Sequence, residues 1–120
     1  MTESTAEAQA LPLRLHVVRV ERGGPWDWSR DMREQDGWDE HARFMNGLVD
    51  DGLIVLGGPL EGDREALHVV RAASEEKVRS RFAEDNWAQN GMLTVKSVEH
   101  WTILLAPDDL ELLILEGRNP

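Results

Sequence analysis

The sequence contains no cysteine among its 120 residues, which excludes disulfide bonds, thiolate metal sites and cysteine nucleophiles. It also has no run of about eighteen apolar residues, the length that a membrane-spanning helix needs. The acidic N-terminus shows neither the basic nor the apolar region of a secretion signal. These absences lead us to expect a cytoplasmic protein that does not cross a membrane and is not exported by a standard signal.

Basic residues are also few: 13 Lys and Arg stand against 23 Asp and Glu, for a formal net charge of -10. Nucleic acids and anionic membranes are bound by basic surfaces, so neither is expected as the main partner. The glycine pair that follows Arg22 lacks the spacing and the following helix of a phosphate-binding loop, and no serine stands in a nucleophile-elbow context.

What remains is the composition of an ordinary soluble domain, with 41% hydrophobic and 30% charged residues. We divide the chain into a disordered polar lead at residues 1–10, one domain at 11–105 and a C-terminal extension at 106–120.

The hydrophobic pattern predicts the order strand, helix, strand, strand, helix, strand. An apolar stripe at three- and four-residue steps predicts the first helix, and it includes Trp38, His41, Phe44, Met45, Leu48 and Val49. Gly52 is expected to end this helix in a left-handed conformation, and Gly57-Gly58-Pro59 to stop the next strand, at 53–56. Ser74 is expected to cap the second helix. The other strands are predicted at 11–21, 65–72 and 92–105.

This order predicts an α+β fold: a ferredoxin-like βαββαβ sandwich with a four-stranded antiparallel sheet and both helices on one side. Strand alternation predicts that the helices are faced by Leu13, Leu15, Val17, Leu67, Val69, Leu93, Val95, Trp101 and Ile103. The opposite face then carries several valines and three histidines and is half apolar. A second copy covering that face would explain its composition, so we expect a homodimer.

The three strand histidines, His16, His68 and His100, fall on this same predicted face. Three imidazoles are a ligand set for a transition metal and can also bind an anion. The other interpretation is that they are semi-polar residues filling a dimer interface. We favour the interface and predict no metal, because a slip of one residue in register would turn a strand over.

Four pieces of sequence, taken in order, resemble the YCII-related family over roughly Leu13 to Leu105. They are His41 followed by Phe44, Leu48 and Gly52; the strand ending Leu56-Gly57-Gly58-Pro59; Asp85-Asn86-Trp87-Ala88-Gln89-Asn90-Gly91 after the second helix; and Val98-Glu99-His100-Trp101. The resemblance implies the dimeric α+β barrel form of the ferredoxin-like fold. It also implies a histidine–aspartate pair, here His41 and Asp85.

One branch of that family is associated with removing chloride from a chlorinated hydroxyquinol. The resemblance therefore implies a small enzyme of lyase, isomerase or dehalogenase type, without a cofactor, acting on an aromatic or enol-like molecule. Histidine takes and returns protons near neutral pH, and a carboxylate on one ring nitrogen would fix its tautomer. Asn86 stands where the family prefers proline, so the positioning of Asp85 differs from the family pattern.

Two alternatives stay open at this point. His41 and Asp85 are either a catalytic pair or a buried structural pair in a small-molecule-binding or accessory dimer. The loop from Arg22 to Gly37, with its two tryptophans, is either packed onto the domain or closes a pocket. Substrate-binding candidates are Arg14, whose guanidinium suits a carboxylate, together with His16, Trp28, His68, Trp87 and His100.

Overall fold

The computed structural model describes residues 13–109, with side chains from Leu15 onward. The predicted lead at 1–10 and the end of the extension, 110–120, lie outside the described residues. The elements in chain order are β1 (Leu13–Arg22), a 3-10 turn (Met32–Glu34), α1 (Trp38–Asp50), β2 (Ile54–Pro59), β3 (Glu65–Val70), α2 (Glu75–Phe82), α3 (Asn86–Gln89) and β4 (Leu93–Ile103).

The strands form one antiparallel sheet in the order β2-β3-β1-β4. This order is that of a ferredoxin-like fold, with β1 between β3 and β4, so the predicted fold class is confirmed. β2 is an edge strand, so one of its two sides is open to other elements of the fold.

Both predicted helix boundaries follow from local chemistry. Gly52 has φ 83°, and the amide of Leu53 donates to the carbonyl of Leu48 at 2.9 Å, which closes the end of α1 as predicted. At the start of α2, the Ser74 hydroxyl accepts from the amide of Lys77 at 3.1 Å. The two helices are thus fixed at the points that the sequence indicates.

The predicted faces of β1 and β3 were wrong. The core between sheet and helices contains Val18, Val20, Leu48, Leu53, Ile54, Val70, Val78, Phe82 and Val98. The set that includes the three strand histidines therefore faces the helices. In β4 the prediction was correct for Leu93 and Val95 only, because the register with β1 shifts at Arg19/Val20 and reverses the alternation beyond that point.

The prediction that β2 stops before Gly57 was also wrong, since the strand continues through Pro59. Proline has no amide hydrogen to give a neighbouring strand, and β2 needs none on its outer side because it is an edge strand. The extension brings Gly57 opposite His68 in the β2–β3 register.

The sheet face away from the helices carries partly exposed apolar side chains. Val17 and Val69 are half-buried there, and Trp101 is 46% exposed. On the same face, the Arg19 guanidinium and the Lys96 ammonium both contact Glu65, at 3.3 and 2.6 Å. The face that the sequence analysis expected a second copy to cover, the one with the three strand histidines, meets the helices instead, so that expectation was wrong. The face described here is the one left open in a single copy.

Candidate functional site

A cavity of about 480 Å³ lies between α1, the edge strand β2 and the loop that follows β1. Its wall is built by residues from most elements of the fold, chiefly Val20, Arg22, Trp26, Met32, Arg33, Trp38, His41, Met45, Asn46, Gly57, His68, Phe82, Asp85 and Trp87. Apolar surface dominates and a few polar groups converge on it, which is the usual composition of a small-molecule site.

His41 and Asp85 meet in this wall. The Nδ1 atom of His41 lies 2.9 and 2.8 Å from the two carboxylate oxygens of Asp85, and both side chains are buried. A carboxylate only accepts when ionised, so the proton of a neutral His41 ring belongs on Nδ1. Within the described part of the chain nothing bonds Nε2, and this nitrogen is left to the cavity.

The junction between α2 and α3 places Asp85. Its backbone begins α3, where its carbonyl accepts from the amides of Ala88 and Gln89, both at 3.0 Å. The Asp85 side chain makes no capping bond there and turns to His41 instead. Asn86 occupies the first helical position, a favoured site for proline, and its side-chain amide donates to the Gly37 carbonyl at 3.1 Å. A hydrogen bond across the fold here replaces the fixed proline angle.

Tryptophan side chains pack beside the His41–Asp85 pair. The His41 ring stacks on Trp87 at 4.0 Å and 11°, and the Trp87 indole donates to the Asp36 carbonyl at 2.8 Å. Trp26 and Trp38 pack on Trp87 with ring centroids at 5.3 and 5.9 Å. The segment between Gly23 and Gly37 is thus both packed onto the domain and part of the cavity wall, so the two interpretations of this loop coincide.

Arg22 is a functional candidate that sequence reasoning missed. Its side chain is 4% exposed, it is ion-paired with Asp63, and its guanidinium lies 4.3 Å from the centre of the Trp26 ring. The only signal in the sequence was its place at the end of an apolar strand, directly before the glycine pair. Arg33, whose guanidinium lies 5.8 Å from the Trp38 ring, is a second cation in the wall.

Four of the predicted site residues line the cavity: His41, Asp85, His68 and Trp87. Trp28 does not; it is half-exposed on the loop with the Arg64 guanidinium 5.0 Å from its ring. The side chain of Arg14 lies outside the described residues, although its backbone pairs with Thr102.

His16 and His100 face each other across β1 and β4, away from the cavity. Their ring centroids lie 5.6 Å apart, and burial together with the nearby His100 lowers the pKa of His16. His68 pairs with Val18 rather than with His16, so the three imidazoles do not form a row. Among residues 15–109 no three His, Cys, Asp or Glu side chains are grouped as a metal site would require.

None of the helices within the described residues is long and apolar enough to cross a membrane.

Comparison with solved structures finds a likeness to 5-chloro-2-hydroxyhydroquinone dehydrochlorinase from Burkholderia phenoliruptrix, solved in complex with 2,5-dihydroxybenzoquinone. The identity is 22%, the TM-score is 0.53, and the match covers 74% of this chain and 93% of the other. No family model and no curated protein matches the chain. The likeness shows the fold, while the dimeric α+β barrel superfamily and membership of the YCII-related family stay predictions.

Proposed function

We propose that this protein is a small enzyme that moves a proton on an aromatic or enol-like molecule, with His41 as general acid/base and Asp85 as its orienting partner. The reaction is of lyase, isomerase or dehalogenase type and needs no cofactor. The observation that carries the proposal is the buried His41–Asp85 hydrogen bond in the wall of a cavity large enough for a single aromatic ring system.

The chemistry follows from the tautomer. Because Asp85 accepts the proton of Nδ1, Nε2 of His41 presents a lone pair and can remove a proton from a hydroxyl or an activated carbon. The imidazolium that forms is stabilised by the Asp85 carboxylate. Nε2 then returns the proton to another atom of the substrate, or the proton leaves with chloride when the substrate is a chlorinated hydroxyquinol.

The charge of the wall supports a substrate that is, or becomes, an oxyanion. Arg22 and Arg33 line the cavity. Asp85 is the carboxylate among the described lining residues, and it accepts a hydrogen bond from His41. Because Asp63 already pairs with Arg22, we expect Arg33 to be the cation of the wall that meets such an oxyanion. The tryptophans supply flat faces against which an aromatic or quinone ring can pack. The dehydrochlorinase that this fold resembles was solved with a ligand of that kind.

The experiment is a screen of chlorinated hydroxyquinols and enolisable ketones, reading chloride release and hydrogen–deuterium exchange. We expect turnover of at least one class by the wild type and a loss of about 10²- to 10⁴-fold in His41→Gln. Met45→Leu, a volume-conserving change in the same wall, serves as control and should stay within a few-fold of wild type. Equal rates in His41→Gln and wild type would remove the enzyme proposal.

One observation favours a non-catalytic binding protein as the second candidate. The His41 residue is only 7% exposed and stacks on Trp87, which is also what a packing role would require. A binding protein would retain an aromatic ligand, turn over none of the screened compounds, and lose about 1–3 kcal/mol of unfolding free energy in His41→Gln.

We further propose that the chain is a homodimer through the helix-distal apolar face defined by Val17, Val69 and Trp101. Trp101→Glu places a charge in that face and should convert the dimer into a 13.6 kDa monomer by light scattering. Trp28→Glu, a change at a comparably exposed tryptophan on the loop, is the matched control and should stay dimeric. A monomeric wild type would contradict the proposal.

A further inference from the structure

The cavity wall holds a second histidine whose hydrogen-bonding capacity is unused. His68 on β3 is 9% exposed, and its Nδ1 is buried with no hydrogen-bond partner among the described residues. Its ring lies edge-on to Phe82, with centroids 5.4 Å apart, and the phenyl ring offers it no hydrogen-bonding atom. Nδ1 is sealed inside the protein, whereas Nε2 is not among the buried unpaired atoms of the described residues. Because His68 lines the cavity, Nε2 is the nitrogen that a bound molecule can reach.

The His68 ring fits in its position because Gly57 of the edge strand has no side chain. A Cβ atom at Gly57 would lie 2.4 Å from Cδ2 of His68, whereas a Cβ at Gly58 would meet nothing within 4 Å. Gly57 is not one of the described glycines with positive φ, so backbone conformation does not explain its lack of a side chain. The ring of His68 explains it, because the imidazole fills the space directly over the strand.

The surroundings also decide which nitrogen carries the proton. Burial, and secondly the proximity of His41, lower the pKa of His68 to about 4 against an opposing effect of Asp85. At neutral pH the ring therefore holds one proton. A proton on Nδ1 would be a buried donor without an acceptor, costing about 1–3 kcal/mol, so Nε2 is the protonated nitrogen.

We propose that His68 donates a hydrogen bond from Nε2 to an oxygen atom of the phenol- or enol-type molecule on which His41 acts. The proposal rests on the proposed function and assigns the two imidazoles different tasks. His41 exchanges a proton with the molecule, while His68 stabilises negative charge developing on its oxygen without giving its own proton away.

The test uses 2,5-dihydroxybenzoquinone as probe and the full chain labelled with ¹⁵N-histidine. Titration of the wild type should shift the Nε2 resonance of His68 while the ring stays uncharged. His68→Phe keeps a ring but removes the donor, and should weaken binding about tenfold. His68→Gln, whose amide nitrogen reaches toward the position of Nε2, should recover part of that loss.

Gly57→Ala and Gly58→Ala form a matched pair in the same strand. The first displaces the His68 ring and should weaken probe binding as His68→Phe does, while the second should bind as the wild type. Equal affinity in all variants would overturn the role of His68 and leave the proposed function intact. A probe that binds with the expected His68 responses, without turnover of any screened compound, would instead overturn the proposed function alone. A wild type that does not bind the probe would overturn both.

Discussion

Two imidazoles share one cavity wall, and they are buried to nearly the same degree, with His41 7% and His68 9% exposed. Their partners differ. His41 has a carboxylate on Nδ1, whereas His68 has a phenyl ring and a glycine as neighbours and no hydrogen bond on Nδ1. Equal burial therefore leads to different chemistry, because the protonated state of a buried imidazole is stabilised only where an anion offsets its desolvation.

Removing the anion beside His41 should have the largest effect. In Asp85→Asn the amide donates to Nδ1 of His41 and forces the proton onto Nε2, the tautomer that cannot act as a base. We expect kcat to fall on the order of 10³- to 10⁴-fold on whichever substrate the wild type turns over. Asp27→Asn changes an aspartate that binds Ser29 and Arg30 on the loop, outside the wall, and should leave kcat unchanged. An equal loss in both variants would point to general destabilisation.

Removing the unpaired imidazole of His68 should change how the stability of the protein depends on pH. The pKa of His68 is about 4 in the folded chain against an ordinary 6.5, so below pH 6.5 the unfolded chain binds the proton first. Between pH 6.5 and 4 the wild type should therefore lose roughly 3 kcal/mol more unfolding free energy than His68→Phe, an order-of-magnitude figure.

This prediction is read from urea unfolding of both proteins at pH 7 and pH 4.5. Both proteins contain the same carboxylates, so subtracting one unfolding free energy from the other removes the contribution of those groups. Above pH 6.5 His68 contributes no pH dependence. Parallel stability curves over the whole range would contradict the assignment of a neutral buried ring.

The smallest effect is expected from a substitution at Gly37, which directly precedes α1, the helix that carries His41. Gly37 has φ 82°, and a Cβ there would lie 2.8 Å from Nδ2 of Asn86. Gly37→Ala should therefore cost about 1–3 kcal/mol and disturb the start of α1. Gly47→Ala, inside α1 with nothing within 4 Å, should instead stabilise the protein by up to about 1 kcal/mol. Equal stabilities, measured by urea unfolding, would show that Gly37 does not constrain the helix start.

The sequence predicted the element order, the end of α1 and the start of α2, and it predicted the His41–Asp85 contact through family resemblance. It did not predict the sheet faces, because both faces of β1 are apolar and alternation alone cannot say which one meets the helices. The register shift in β4 then reversed the pattern along that strand.

The wrong assignment of the sheet faces also affected the prediction of the candidate site. Because the histidine face was predicted to lie away from the helices, His68 was not expected to line the same cavity as His41. Arg22 escaped notice for a different reason: its role comes from Asp63 and Trp26, which contact it only once β1, the following loop and the β2–β3 turn are assembled.

Whether His41 can act as a base is decided by its tautomer, which ¹⁵N chemical shifts of the labelled chain report with and without 2,5-dihydroxybenzoquinone. We expect a proton on Nδ1, an unprotonated Nε2 whose signal responds to the probe, and a reversed tautomer in Asp85→Asn. A proton on Nε2 in the wild type, or a ring that ignores the probe while it is bound, would contradict this expectation.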